Sequence, residues 1–121
     1  MTDFRRIKVS AVPGASGDIT LVRFNDRRII EAASIQELGN ELAALIEKEG
    51  AKSVILNFST VDFLSSAALN QLIKLVPKVK ATQGKMRLCG LKPEIKEVFE
   101  ITKLDRLFDI KNDETDALNG F

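Results

Sequence analysis

The stretch Val54-Ile55-Leu56-Asn57-Phe58-Ser59-Thr60-Val61-Asp62-Phe63-Leu64-Ser65-Ser66-Ala67-Ala68-Leu69-Asn70-Gln71-Leu72 carries the reading of the fold. Its opening run, 54–58, is short and apolar, consistent with a strand buried on both faces. The chain then passes through a polar turn to the pair Phe63-Leu64. Two serines follow, and then 67–73, whose composition predicts a helix. Serine is a favoured residue at a helix start because its hydroxyl accepts a backbone N–H that lacks a helical partner. Ser66 is therefore expected to cap this helix.

Working outward, the same mixture of strand and helix recurs on both sides. Ile7, Val9 and Ala11 alternate with Lys8, Ser10 and Val12, which predicts a half-buried strand. Pro13-Gly14-Ala15-Ser16-Gly17-Asp18 is a turn cluster, and 19–24 a second strand, so the two are expected to form an antiparallel hairpin. A helix is expected over 34–49, capped by Ser34 with Glu37 as its capping-box partner and ended by Gly50. Leu38, Leu42, Leu45 and Ile46 are its apolar stripe.

Downstream, Pro77 interrupts the helical pattern and predicts a kink or break. Residues 85–89 read as a strand. Lys92-Pro93-Glu94 opens a third helix with proline at the favoured first position and Ile95, Val98, Phe99 and Thr102 facing inward. A last strand is expected over 107–110, then a short helix or frayed tail over 113–121. The order predicts an α/β fold: a mixed sheet of four to five strands, with helices mainly on one face and right-handed crossovers.

Composition narrows the function. The chain has 121 residues, which suits one domain over 1–121, and a hydrophobic fraction of 45%. Eighteen basic against 17 acidic residues leave a net charge of +1, without the basic excess of a nucleic-acid binder. No apolar run is long enough for a membrane span, and no apolar signal core follows Arg5-Arg6, so the expected location is the cytoplasm, without direct membrane insertion. The lone Cys89 fits a reducing compartment and reads as a buried strand thiol. There is no histidine, which removes Ser-His-Asp and Cys-His catalysis and the usual zinc sites. Neither common nucleotide-binding glycine loop is present. Nothing implies a metal or cofactor, and nothing assembles an acid, a base and a substrate pocket, so the chain is not expected to be an enzyme.

The run Phe63-Leu64-Ser65-Ser66-Ala67-Ala68-Leu69 resembles the signature of the STAS family, whose phosphorylatable members carry D-S-[ST]-[GA]-L or S-S-[AG]-[AG]-L here. The strand at 85–89, the following helix and the turn Lys103-Leu104-Asp105-Arg106-Leu107 resemble the family too, extending the likeness to about 7–110. The resemblance implies a stand-alone anti-sigma-factor antagonist. Such a protein binds a kinase-type anti-sigma factor, is released when that kinase phosphorylates the serine at the helix start, and is reset by a phosphatase. By position the acceptor is Ser66, with Ser65, which stands where the family often has Asp, as a competing acceptor. The implied partner contact comprises Arg27, Arg28, Ile29, Ile30 and Glu31 before the first helix. It continues through Asp62 and Phe63 to Ser65, Ser66, Ala67 and Asn70. Asp62 can orient Ser66 or solvate its loop. The same fold also serves as an unphosphorylated accessory subunit of membrane-transport ATPases, which is the alternative role.

Overall fold

Successive side chains of a strand point to opposite faces, so the short apolar run 54–58 calls for a sheet covered on both sides, and the protein builds one. A computed structural model describes residues 4–14 and 17–121. In chain order the elements are β1 (Ile7–Gly14), β2 (Gly17–Phe24), β3 (Arg28–Ile29), α1 (Ala32–Glu47), β4 (Ser53–Asn57), β5 (Phe63–Leu64), α2 (Ser66–Ala81), β6 (Lys85–Cys89), α3 (Pro93–Ile101), a 3-10 turn (Leu104–Arg106), β7 (Asp109–Ile110) and α4 (Glu114–Leu118). The main sheet has the order β1-β2-β4-β6-β7. β1 and β2 are an antiparallel hairpin, and β2, β4, β6 and β7 run parallel. β3 and β5 form a separate parallel pair with the register Arg28↔Phe63 and Ile29↔Leu64.

Val54 and Leu56 of β4 enter the large core beneath the long helices, with Val22 and Phe24 of β2, Leu88 of β6, Leu42 and Ile46 of α1, and Leu72 and Leu75 of α2. Ile55 points the other way, joining Ile19, Leu21, Cys89 and Ala117 in a smaller cluster that includes α4. Phe58, just past β4, is fully buried against Phe24, with ring centroids 4.6 Å apart. The mixed α/β architecture expected from the sequence is therefore present, with a five-stranded sheet and the long helices on one face.

Several local expectations are corrected. α1 begins at Ala32, two residues before Ser34, and its cap position is Glu31, which makes no side-chain capping bond. The capping box is unused because the Glu37 carboxylate accepts from Arg6 Nε at 2.7 Å. Pro77 neither ends nor splits α2, which runs through to Ala81. Pro77 is exposed, so the lost hydrogen bond falls on the solvent side. In α3 only Ile95 and Phe99 are buried; Val98 and Thr102 face outward, Thr102 donating its hydroxyl to the Val98 carbonyl at 2.6 Å. β1, the edge strand of the sheet, buries only Ile7. The strand expected over 107–110 is shorter, Asp109–Ile110, because Leu107 N and Phe108 N still donate to the Leu104 carbonyl of the preceding 3-10 turn. The tail forms α4, capped by Asp113, whose carboxylate accepts from Asp116 N at 2.8 Å. Ala15 and Ser16 of the expected hairpin turn lie outside the described residues; Gly14 and Gly17 on either side of them pair.

Candidate functional site

The parallel strands β2, β4 and β6 all end at one rim of the sheet, where loops rather than layers meet solvent; this is the usual position for function in open α/β folds. Backbone hydrogen bonds bind the connection before α2 to the one before α1. Asp62 N and Phe63 N donate to the Arg27 carbonyl at 2.7 and 3.2 Å, and Ser65 N donates to the Ile29 carbonyl at 3.1 Å. Deeper in the rim, Asn57 Oδ1 accepts from Ser59 N at 2.8 Å, and Thr60 donates its hydroxyl to the Phe24 carbonyl at 3.0 Å.

The two serines have separate jobs. Ser65 is the helix cap: its backbone is extended, its Oγ accepts from Ala68 N at 3.2 Å, and its carbonyl accepts from Leu69 N at 3.0 Å. Ser66, expected to be the cap, is instead the first helical residue. It is exposed, and its hydroxyl makes no side-chain hydrogen bond among the described residues. The structure thus corrects the cap assignment by one residue and leaves the Ser66 hydroxyl unengaged. Ala67 is also exposed, while Ala68 and Leu69 turn into the core. Asn70, four residues after Ser66 and so on the same helical face, is exposed.

Around the serines lies a surface of mixed character. Phe63 is 46% exposed and Ile30 42%, both high for large apolar side chains. The Arg28 guanidinium sits 5.4 Å from the Phe63 ring centroid, a cation–π contact. Arg27 extends into solvent, its Nε donating to Asp62 Oδ2 at 3.0 Å, and Lys92 pairs with the other oxygen of the same carboxylate. Lys92, then Arg27, hold the Asp62 carboxyl below the usual carboxylate range. Asp62 therefore ties two loops together and makes no hydrogen bond to Ser66. Two residues before Lys92 the chain turns at Gly90, where φ is +71°; a Cβ there would come within 2.8 Å of Asn57 Oδ1.

Of the residues expected at a partner contact, Arg27, Arg28, Ile30, Glu31, Asp62, Phe63, Ser66, Ala67 and Asn70 are exposed together on this rim, and Ser65 is half-buried beneath them. Ile29 is the exception: at 2% exposure its side chain belongs to the core. Lys92 was legible only as the residue opening α3; no sequence signal links it to Asp62, 30 positions away. Cys89 is buried at the end of β6, and burial pushes its thiol up to about 11, which suppresses the reactive thiolate at neutral pH.

The profile of the STAS domain matches residues 14–117. The chain belongs to the STAS domain family. A relative from Bordetella bronchiseptica, provisionally named anti-sigma factor antagonist BtrV, is 33% identical over 93 residues, covering 77% of this STAS domain chain and 79% of BtrV. An anti-sigma-factor antagonist (STAS) domain protein from Planctomyces limnophilus shares the fold with a TM-score of 0.74 at 20% identity, over 91% of this chain and 94% of that one. SpoIIAA, a Bacillus cell fate determinant solved in its phosphorylated form, shares it with a TM-score of 0.66 at 15% identity, over 90% and 94%. Among the described residues of this STAS domain, no helix is long and apolar enough to cross a membrane.

Proposed function

We propose that this STAS domain is an anti-sigma factor antagonist, a protein-binding module in the cytoplasm with no catalysis of its own. Unphosphorylated, it binds a kinase-type anti-sigma factor through the rim around α2; phosphorylation of Ser66 by that kinase releases it, and a phosphatase restores it. The observation that carries this reading is the division between the two serines: Ser65 is committed to the cap, and Ser66 presents an exposed, unengaged hydroxyl beside Phe63 and Ile30. The name of BtrV and the phosphorylated state of SpoIIAA agree with it.

The physics of a helix start explains why such a serine works as a switch. First-turn N–H groups lack helical acceptors, and the aligned peptide dipoles place partial positive charge there. A phosphate adds nearly two negative charges and three acceptor oxygens, which this end of a helix tolerates. The domain keeps its fold, while a partner seated over Phe63 and Ile30 meets new bulk and charge.

The test is intact mass after incubation with the cognate kinase and ATP. A gain of one phosphate in the parent protein and in Ser65→Ala, and none in Ser66→Ala, is expected. A gain that survives Ser66→Ala and disappears in Ser65→Ala would reassign the switch. A phosphorylated protein that still binds the kinase with undiminished affinity would overturn the release step.

A further inference from the structure

The far end of α2 carries a second surface. α2 has 16 residues, so its ends are separated by about 24 Å at 1.5 Å per residue. Beside its last turns lies a groove of about 360 Å³, lined by Val76 and Val79 of α2, Met86 of β6, and Leu107 and Phe108 before β7. The topology leaves it open. β7 starts opposite Arg87, so Lys85 and Met86 lack a neighbouring strand on that side of β6. Leu107 is 42% exposed at the margin.

The unpaired charge around the groove is of one sign. Lys80 and Lys85 line it, are exposed, and have no salt-bridge partner among the described residues. The one carboxylate in the lining, Asp109, is engaged by Arg87 Nε at 3.2 Å and Lys111 Nζ at 3.4 Å. An occupant with carboxylates therefore gains two free ammonium groups and meets no free carboxylate. A basic occupant meets like charge.

We propose that this groove docks a short acidic segment of a partner protein, with one or two aliphatic or aromatic side chains seated against Met86 and Leu107 and flanking carboxylates on Lys80 and Lys85. The volume is near the lower end of ligand pockets, which suits a few side chains. The site is separate from the rim around Ser66, so a partner can stay docked here whatever the state of that serine.

The test uses the full chain and a displayed library of short random peptides, followed by fluorescence anisotropy with the selected sequences. Selected peptides are expected to combine an acidic excess with aliphatic or aromatic residues. Their affinity should fall about tenfold in the Lys80→Glu/Lys85→Glu variant, which turns two attractive rim charges into repulsive ones, and weaken with added salt as Debye screening requires. Leu107→Asp should have a comparable effect, and Phe63→Ala none. Circular dichroism establishes that each variant is folded. The proposal is overturned if no selected peptide depends on Lys80, Lys85 or Leu107 in folded variants. It is equally overturned if the peptides lack an acidic excess, or if sedimentation shows that the surface joins two copies of this chain and that Leu107→Asp separates them.

Discussion

The starts of α1 and α2 are built alike and used differently. Each helix has 16 residues and follows a two-residue strand, and the two strands pair with each other in register. Both cap residues, Glu31 and Ser65, have extended backbones. At α1 the cap residue makes no side-chain bond and the first helical residue is Ala32, which offers no chemistry. At α2 the cap residue bonds back to Ala68 N, and the first helical residue is a serine with its hydroxyl in solvent. Two adjacent serines thus let one hydroxyl hold the helix while the next remains available. A single serine in the cap position would have to serve both ends.

The strongest way to break the comparison is to remove what both starts rest on. Leu72 is 1% exposed in the core shared by α1 and α2, and Leu72→Ala should cost about 2–5 kcal/mol in urea denaturation and loosen both starts together. Next comes the cap: Ser65→Ala should cost about 1 kcal/mol, while Ser65→Asp, another good cap, should keep most of the stability. The converse change, Glu31→Ser, should make α1 start as α2 does and add roughly 0.5 kcal/mol by thermal melting. Ser66→Ala should stay within about 0.5 kcal/mol of the parent protein in the same assay. If Ser66→Ala proved as costly as Ser65→Ala, the division of labour between the serines would be wrong.

The smallest effect concerns acid. The folded Asp62 carboxyl is held below its ordinary range by Lys92 and Arg27, so its contribution is present above the unfolded pKa, about 4. It is lost as the pH falls through the folded value. Melting temperatures measured from neutral pH downward should fall less steeply below about pH 4 in Asp62→Asn than in the parent. The difference should be slight, because the pair is exposed and screened.

Elements whose signals are local were legible in the sequence. The buried strand β4, the serine-led start of α2 and the proline-led start of α3 all follow from nearest neighbours and periodicity. The residues 63–69 that carry the resemblance lie on one rim of the sheet. Elements set by distant partners were not legible. α1 begins early because the chain before it pairs with the chain before α2, and because Glu37 is occupied by Arg6, 31 residues away. Nothing near Asp62 announces that Lys92 will meet it. The one-residue misplacement of the cap has the same origin: two adjacent serines are equivalent to a pattern, and the bond from Ser65 N to Ile29 decides between them.

Cys89 also bears on how the protein can be studied. It is fully enclosed and its thiol is pushed up to about 11, so in the folded protein it should be blind to maleimides, disulfide reagents and peroxide. The parent protein then supplies its own blank for labelling. A cysteine introduced at position 63 or 107 would take up dye alone, and a fluorophore at either place would report on its own surface.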